Sequence, residues 1–145
     1  MRAVQGAVAR LSKDPSHPLL ARTSQSLTFT GSWSVRLRGG GGHHVSHFHG
    51  QGWISSAYYA KLPNLPEEGQ GTAGYIQFGA PPEHWGLELP PRRVVRPEPG
   101  LLVLFPSYMW HGTVPFSGED IRLTAAFDLV PQEDGVLSEV RIPQA

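Results

Sequence analysis

Between Glu119 and Pro131 the chain reads "EDIRLTAAFDLVP", and apolar and polar residues alternate along it. Ile121, Leu123, Ala125, Phe127 and Leu129 fall on one side of an extended backbone, and Arg122, Thr124, Ala126 and Asp128 on the other. A period of two predicts a strand over 121–129. Similar short apolar runs predict strands over 27–30 continuing into 33–37, and over 43–49, 54–62, 74–78, 94–95, 101–105, 111–114 and 136–142. Helical spacing occurs only at the start, where Val4, Val8 and Leu11 share a face before Pro15 and Pro18 stop the helix. Eight or so short strands predict a sandwich or barrel. The segments 63–71 and 80–91, rich in Pro, Gly and Glu, are loops long enough to overhang a site and too short to be linkers.

Composition supports the same architecture. Seventeen glycines and fourteen prolines are dispersed between the apolar runs, as frequent turns require. A length of 145 residues suits one domain, 1–145, with 1–22 as the N-terminal helix and its lead-in. The chain has no cysteine, which removes zinc-finger, thiol-nucleophile and disulfide-scaffold readings and fits a reducing cytoplasm. Net charge is zero, and "PRRVVR" (91–96) is too short and strand-like to track a nucleic acid. No apolar run approaches the roughly 20 residues of a membrane span, and residues 1–11 carry no secretory cleavage signal. The expectation is a cytoplasmic protein that binds neither nucleic acid nor membrane.

Chemistry concentrates in "GGGGHHVSHFHGQGW" (39–53), which holds four of the seven histidines. Residues two apart on a strand lie about 6.5–7 Å apart on one face, so His47 and His49 can both reach one metal ion. His43 shares their parity and stands as a reserve ligand or supporting group, whereas His44 should face away. The glycines permit a tight turn into the strand, and with no helix start after them they do not suggest a phosphate loop. In "GLLVLFPSYMWHGTVPF" (100–116) an apolar strand and a Pro-led turn deliver His111 to the next strand. In a double-stranded β-helix such a strand returns beside the first pair, giving a three-nitrogen set with open positions. The plainer reading of His111 is a turn histidine bonded to a backbone carbonyl. For Arg122, alternation alone points to solvent. If the apolar face of its strand instead packs beneath the helix, Arg122 and Thr124 line a cationic, hydroxyl-bearing socket suited to a carboxylate.

Taken together, "SWSVRL" (32–37), "HFHGQGWISSAYYAKLP" (47–63), "GYIQFGAPP" (74–82) and "PEPGLLVLFPSYMWHGTVPFSGEDIRLTAAFDLVP" (97–131) resemble a small bacterial iron(II)/2-oxoglutarate-dependent oxygenase domain of the kind found alone or behind tetratricopeptide repeats. The resemblance covers about two thirds of the chain. It implies a mainly β fold, a cupin-like double-stranded β-helix or jelly roll, with one short N-terminal helix. It also implies Fe(II) and 2-oxoglutarate as cofactors, and a dioxygenase that hydroxylates a substrate while decarboxylating 2-oxoglutarate to succinate. Position by position, the family's metal ligands fall on His47, His49 and His111. The arginine that anchors the far carboxylate of 2-oxoglutarate falls on Arg122, with Thr124 beside it and Tyr59, or alternatively Tyr58, as a further contact. The resemblance thereby reverses the solvent reading of Arg122.

Two departures stand out. His49 occupies a position where most of the wider superfamily has a carboxylate, so either three histidines suffice or an acid from elsewhere, Asp120 or Glu83, completes the set. Gly50 replaces the proline usual after the second histidine, which should affect only the local turn. Trp53, Trp85 and Trp110 are candidates to wall the pocket or, more plainly, to fill core and sheet edges. His84 is a candidate substrate contact or a solvated loop residue. Two other functions compete with the oxygenase. A cupin-type metalloenzyme shares Gly100, Pro106 and His111 but expects a glutamate soon after the first histidine pair, where Trp53 and Ile54 stand instead. A non-enzymatic jelly-roll module that binds a sugar or peptide is the other. A small-molecule or peptide substrate, a minimal or terminal place in a longer architecture, and a homodimer built on exposed sheet edges complete the expectations.

Overall fold

The computed structural model describes residues 1–40 and 43–132. It resolves into two compact units, Phe29–Leu129 and a smaller unit formed by the chain on either side of it. The smaller unit begins with helix α1 (Arg2–Val8), whose Val4 and Val8 are buried as their spacing predicts. Leu11 lies beyond its end. No helix among the described residues is long and apolar enough to cross a membrane.

The larger unit is built from strands. These are β1 (Leu27–Arg38), β2 (Ile54–Lys61), β3 (Ile76–Phe78), β4 (Arg93–Val95), β5 (Leu102–Pro106), β6 (His111–Thr113) and β7 (Ile121–Pro131). One sheet has the order β1-β7-β2-β5 and the other β4-β3-β6, and the pairings on β2 and β3 are antiparallel. The chain crosses repeatedly from one sheet to the other, the winding of a double-stranded β-helix. Tyr59 and Phe105 from the first sheet pack with Ile76 and Phe78 from the second, so the core lies between the two. The strand expected over 136–142 lies outside the described residues.

Segment 43–49, predicted as a strand, is not one. It is irregular apart from a bridge between His47 and His111, whose backbones exchange hydrogen bonds of 3.0 and 2.8 Å. The segment thus runs along the edge of β6, itself three residues long, without a continuous ladder. Gly112 makes this approach feasible, since a Cβ there would stand 2.8 Å from the His44 carbonyl oxygen and 3.2 Å from Ser46. The loop over 80–91 also holds a short 3-10 turn, Glu83–Trp85, that the sequence pattern did not indicate.

Register on β2 fixes what faces the interior. Ser55 pairs with Asp128 of β7 and Phe105 of β5, and Tyr59 pairs with Thr124. Arg122 and Thr124 are buried and Asp128 nearly so, at 3%, 4% and 8% exposure. The polar face of the alternating β7 pattern is therefore the inner face at these three positions. On β2, Tyr59 is fully buried while Tyr58 turns outward.

Candidate metal centre

His47, His49 and His111 come together with their ligand atoms all within 4.8 Å of one another, the one group of three or more metal-ligating side chains found among the described residues. His47 and His49 rise from the irregular segment and His111 from the start of β6, so the bridge between His47 and His111 joins the two halves directly. Each ring is oriented through the same nitrogen. The Nδ1 atom of His47 lies 2.8 Å from the Val45 carbonyl oxygen, that of His111 3.0 Å from the Met109 carbonyl, and that of His49 2.7 Å from Asp128 Oδ2. Carbonyl and carboxylate oxygens only accept, so each Nδ1 carries a proton, and in the neutral ring each Nε2 keeps a free lone pair. Three neutral imidazoles with unprotonated Nε2 atoms are the donor set a divalent transition metal takes. Burial holds the His111 imidazole down to a pKa of about 4, keeping it neutral and ligand-competent through ordinary pH.

Behind the histidines the same pocket is lined by Arg122, Thr124, Ala126, Trp33, Val35 and Phe105, among others. Arg122 is a buried cation with few partners. Its Nη2 donates to the Tyr59 hydroxyl at 3.5 Å, its guanidinium lies 5.0 Å from the Tyr59 ring centroid, and its Nε has no hydrogen-bond partner. Burial lowers the Arg122 pKa and raises that of Tyr59, with the guanidinium partly opposing the latter. A buried guanidinium with an orphaned donor calls for an anion, and a carboxylate is the usual match. Arg122 and Thr124 thus line one pocket, with the Tyr59 hydroxyl accepting from the guanidinium on the next strand.

Several expectations are revised. His44, placed by strand parity on the far side, lines this pocket with its ring 5.5 Å from that of His47, because the segment is not a strand and parity does not hold. Burial first, and then nearby His47 and Arg122, lower its pKa. Neither Glu83 nor Asp120 joins the histidines. Glu83 opens the exposed 3-10 turn, and Asp120 accepts the Asn64 amide at 3.3 Å. Trp53 is buried, while Trp110 meets Trp85 and Phe48 edge to face in a separate aromatic cluster, with ring centroids 4.9 and 4.8 Å from its own. The tryptophan that does wall the pocket is Trp33, whose ring lies 5.4 Å from that of His49. His84 and His43 line a surface cleft that shares His44 and His47 with the pocket.

Sequence reasoning did not single out Asp128, Ser55 and Ser107, which form a buried hydrogen-bonded group behind His49. The signal for Asp128 was available, since alternation set it on the same face of β7 as Arg122. Its partner is 79 residues away in sequence, and only the fold brings them together.

A family model described as "Putative 2OG-Fe(II) oxygenase" matches residues 31–128. Among solved structures, the chain is similar to HygX from Streptomyces hygroscopicus. The iron-bound HygX structure aligns over 91% of this chain and 70% of HygX, at 16% identity and a TM-score of 0.54. The apo HygX structure aligns over 74% of this chain and 59% of that one, at 14% identity and the same TM-score. At such identities the likeness is one of fold, and it bears out the mainly β, double-stranded β-helix expectation. The chain spans less than two thirds of the apo HygX chain. No curated protein matches the sequence.

Proposed function

We propose, from the fact that this chain belongs to the 2OG-Fe(II) oxygenase family, that it is an iron(II)- and 2-oxoglutarate-dependent dioxygenase. It hydroxylates a small-molecule or peptide substrate while converting 2-oxoglutarate to succinate and carbon dioxide. The observation that carries this reading is the buried Arg122, whose Nε is unpaired in the pocket that also holds the three convergent histidines. A metal-binding module of another kind has no need of a desolvated guanidinium there, whereas a dicarboxylate needs both ends of the pocket.

The residues divide the work as follows. His47, His49 and His111 would hold iron(II) through their Nε2 atoms. The metal, when bound, supplies the activation of dioxygen that no side chain here can perform. Three neutral imidazoles leave its double positive charge uncompensated by direct ligands, which favours an anionic chelator such as a 2-oxo acid. Arg122 pairs with the distal carboxylate through charge-assisted hydrogen bonds, held from below by Tyr59, and the Thr124 hydroxyl adds a polar contact on the same face. Trp33, Val35, Phe105 and Ala126 line the walls of the same pocket. The reading is tested by uncoupled turnover, which needs no substrate. With iron(II), ascorbate and 2-oxoglutarate in air, succinate should form and should be abolished in His47→Ala and in Arg122→Ala. Succinate formation undiminished in both variants would sink it.

A further inference from the structure

The three candidate ligands are all imidazoles, with no carboxylate among them, yet a carboxylate stands directly behind one of them. Asp128 places Oδ2 at 2.7 Å and Oδ1 at 2.9 Å from His49 Nδ1. Both oxygens sit on Nδ1, and Asp128 is not in the ligand group itself. Its own orientation is fixed from β2 and from the turn after β5. Ser55, its direct partner across the β2–β7 pairing, donates to Asp128 Oδ1 at 2.6 Å and sits 2.9 Å from Ser107 Oγ. Ser55 and Ser107 are fully buried. Gly52 leaves room for this arrangement, since a Cβ there would collide with the Ser107 side chain. His47 and His111 are oriented differently, by the backbone carbonyls of Val45 and Met109, which carry no net charge.

We propose that Asp128 is a positioning residue for the metal centre, locking His49 in the Nδ1-protonated tautomer and lending the three-imidazole set the negative charge its ligands lack. The inference rests on the reading of His47, His49 and His111 as metal ligands. In the neutral ring an acceptor-only group at Nδ1 takes the single N–H and leaves Nε2 with its lone pair, and an anionic acceptor raises the basicity of that lone pair more than a carbonyl does. Ser55 and Ser107 keep that carboxylate aimed at the ring.

The test uses the metal-free protein and cobalt(II) as a spectroscopic probe. In nitrogen-15 NMR of the metal-free protein, His49 should be protonated on Nδ1. In Asp128→Asn that preference should weaken, because an amide can offer either its oxygen or its NH2 group to the ring. Cobalt(II) affinity, read from its visible absorption, should fall about 10–100-fold in Asp128→Asn and by a smaller factor in Ser55→Ala, where the carboxylate remains but loses a donor. Equal cobalt(II) binding by wild type and Asp128→Asn, with the His49 tautomer unchanged, would overturn this proposal alone. Failure of the wild type to bind cobalt(II) would overturn the histidine centre, and this proposal with it.

Discussion

At Arg122 a cation is buried to 3% exposure with its Nε unpaired and a single 3.5 Å hydrogen bond from Nη2 to Tyr59. Such a group costs the ligand-free protein stability, because desolvation of the charge is only partly offset. Arg122→Met should therefore hold or raise resistance to urea by about 1 kcal/mol in the absence of ligand. Manganese(II) with 2-oxoglutarate should raise the melting temperature of the wild type, since ligand that binds only the folded state stabilises by mass action, and this variant should lose that rise. A variant that is less stable than wild type and still shifted by 2-oxoglutarate would show that Arg122 is a structural residue. Periodicity had put Arg122, Thr124 and Asp128 on one face of β7 and could go no further, because alternation separates two faces without saying which is inside. Here Arg122, Thr124 and Asp128 face inward from the polar side, although Leu129 on the apolar side is fully buried as well. Tyr59 over Tyr58 is a similar case, decided by burial on β2.

Among the elements, those with strong alternation or a continuous apolar run were legible: β1, β2, β5 and β7 fall within a residue or two of their predicted ends. Segment 43–49 was not. Its sequence "HHVSHFH" satisfies the pattern, but β6 is too short to offer it a ladder, and apart from the bridge it is tied to β6 by the bond from the Thr113 amide to the His44 carbonyl at 3.0 Å. The fold brings His47 and His49 together with His111, while the parity argument that set His44 aside does not hold. Close apposition of this segment to β6 depends on Gly112. Gly112→Ala should push the His44 carbonyl away at a cost of about 1–3 kcal/mol, lowering cobalt(II) affinity about tenfold or more while leaving the far-ultraviolet β-sheet signal in place. Unchanged affinity would mean that the segment is positioned by something other than its contact with β6.

For the whole molecule, the metal-free protein should be sensitive to acid. Burial, before any neighbouring charge, holds His111 at a pKa of about 4 against an ordinary value of 6.5, and His44 is displaced in the same direction. Between those two pH values the unfolded chain binds a proton at His111 that the folded chain refuses. Stability is therefore full above about pH 6.5 and falls as pH drops toward 4, by about 3 kcal/mol for His111. Urea unfolding in the presence of a chelator should show this decline, and His111→Phe should flatten it; an unaltered slope in that variant would assign the acid sensitivity to other groups. The central claim concerns the pocket as a whole, in which three histidines and a buried arginine hold the two ends of one chelating dicarboxylate. Its most direct test is an anaerobic titration of the protein with iron(II) and 2-oxoglutarate, followed by visible absorption. The account predicts a metal-to-ligand charge-transfer band that saturates at one iron per chain and is lost in Arg122→Ala at the same 2-oxoglutarate concentration. Absence of the band in the wild type, or a band of undiminished affinity in Arg122→Ala, would contradict it.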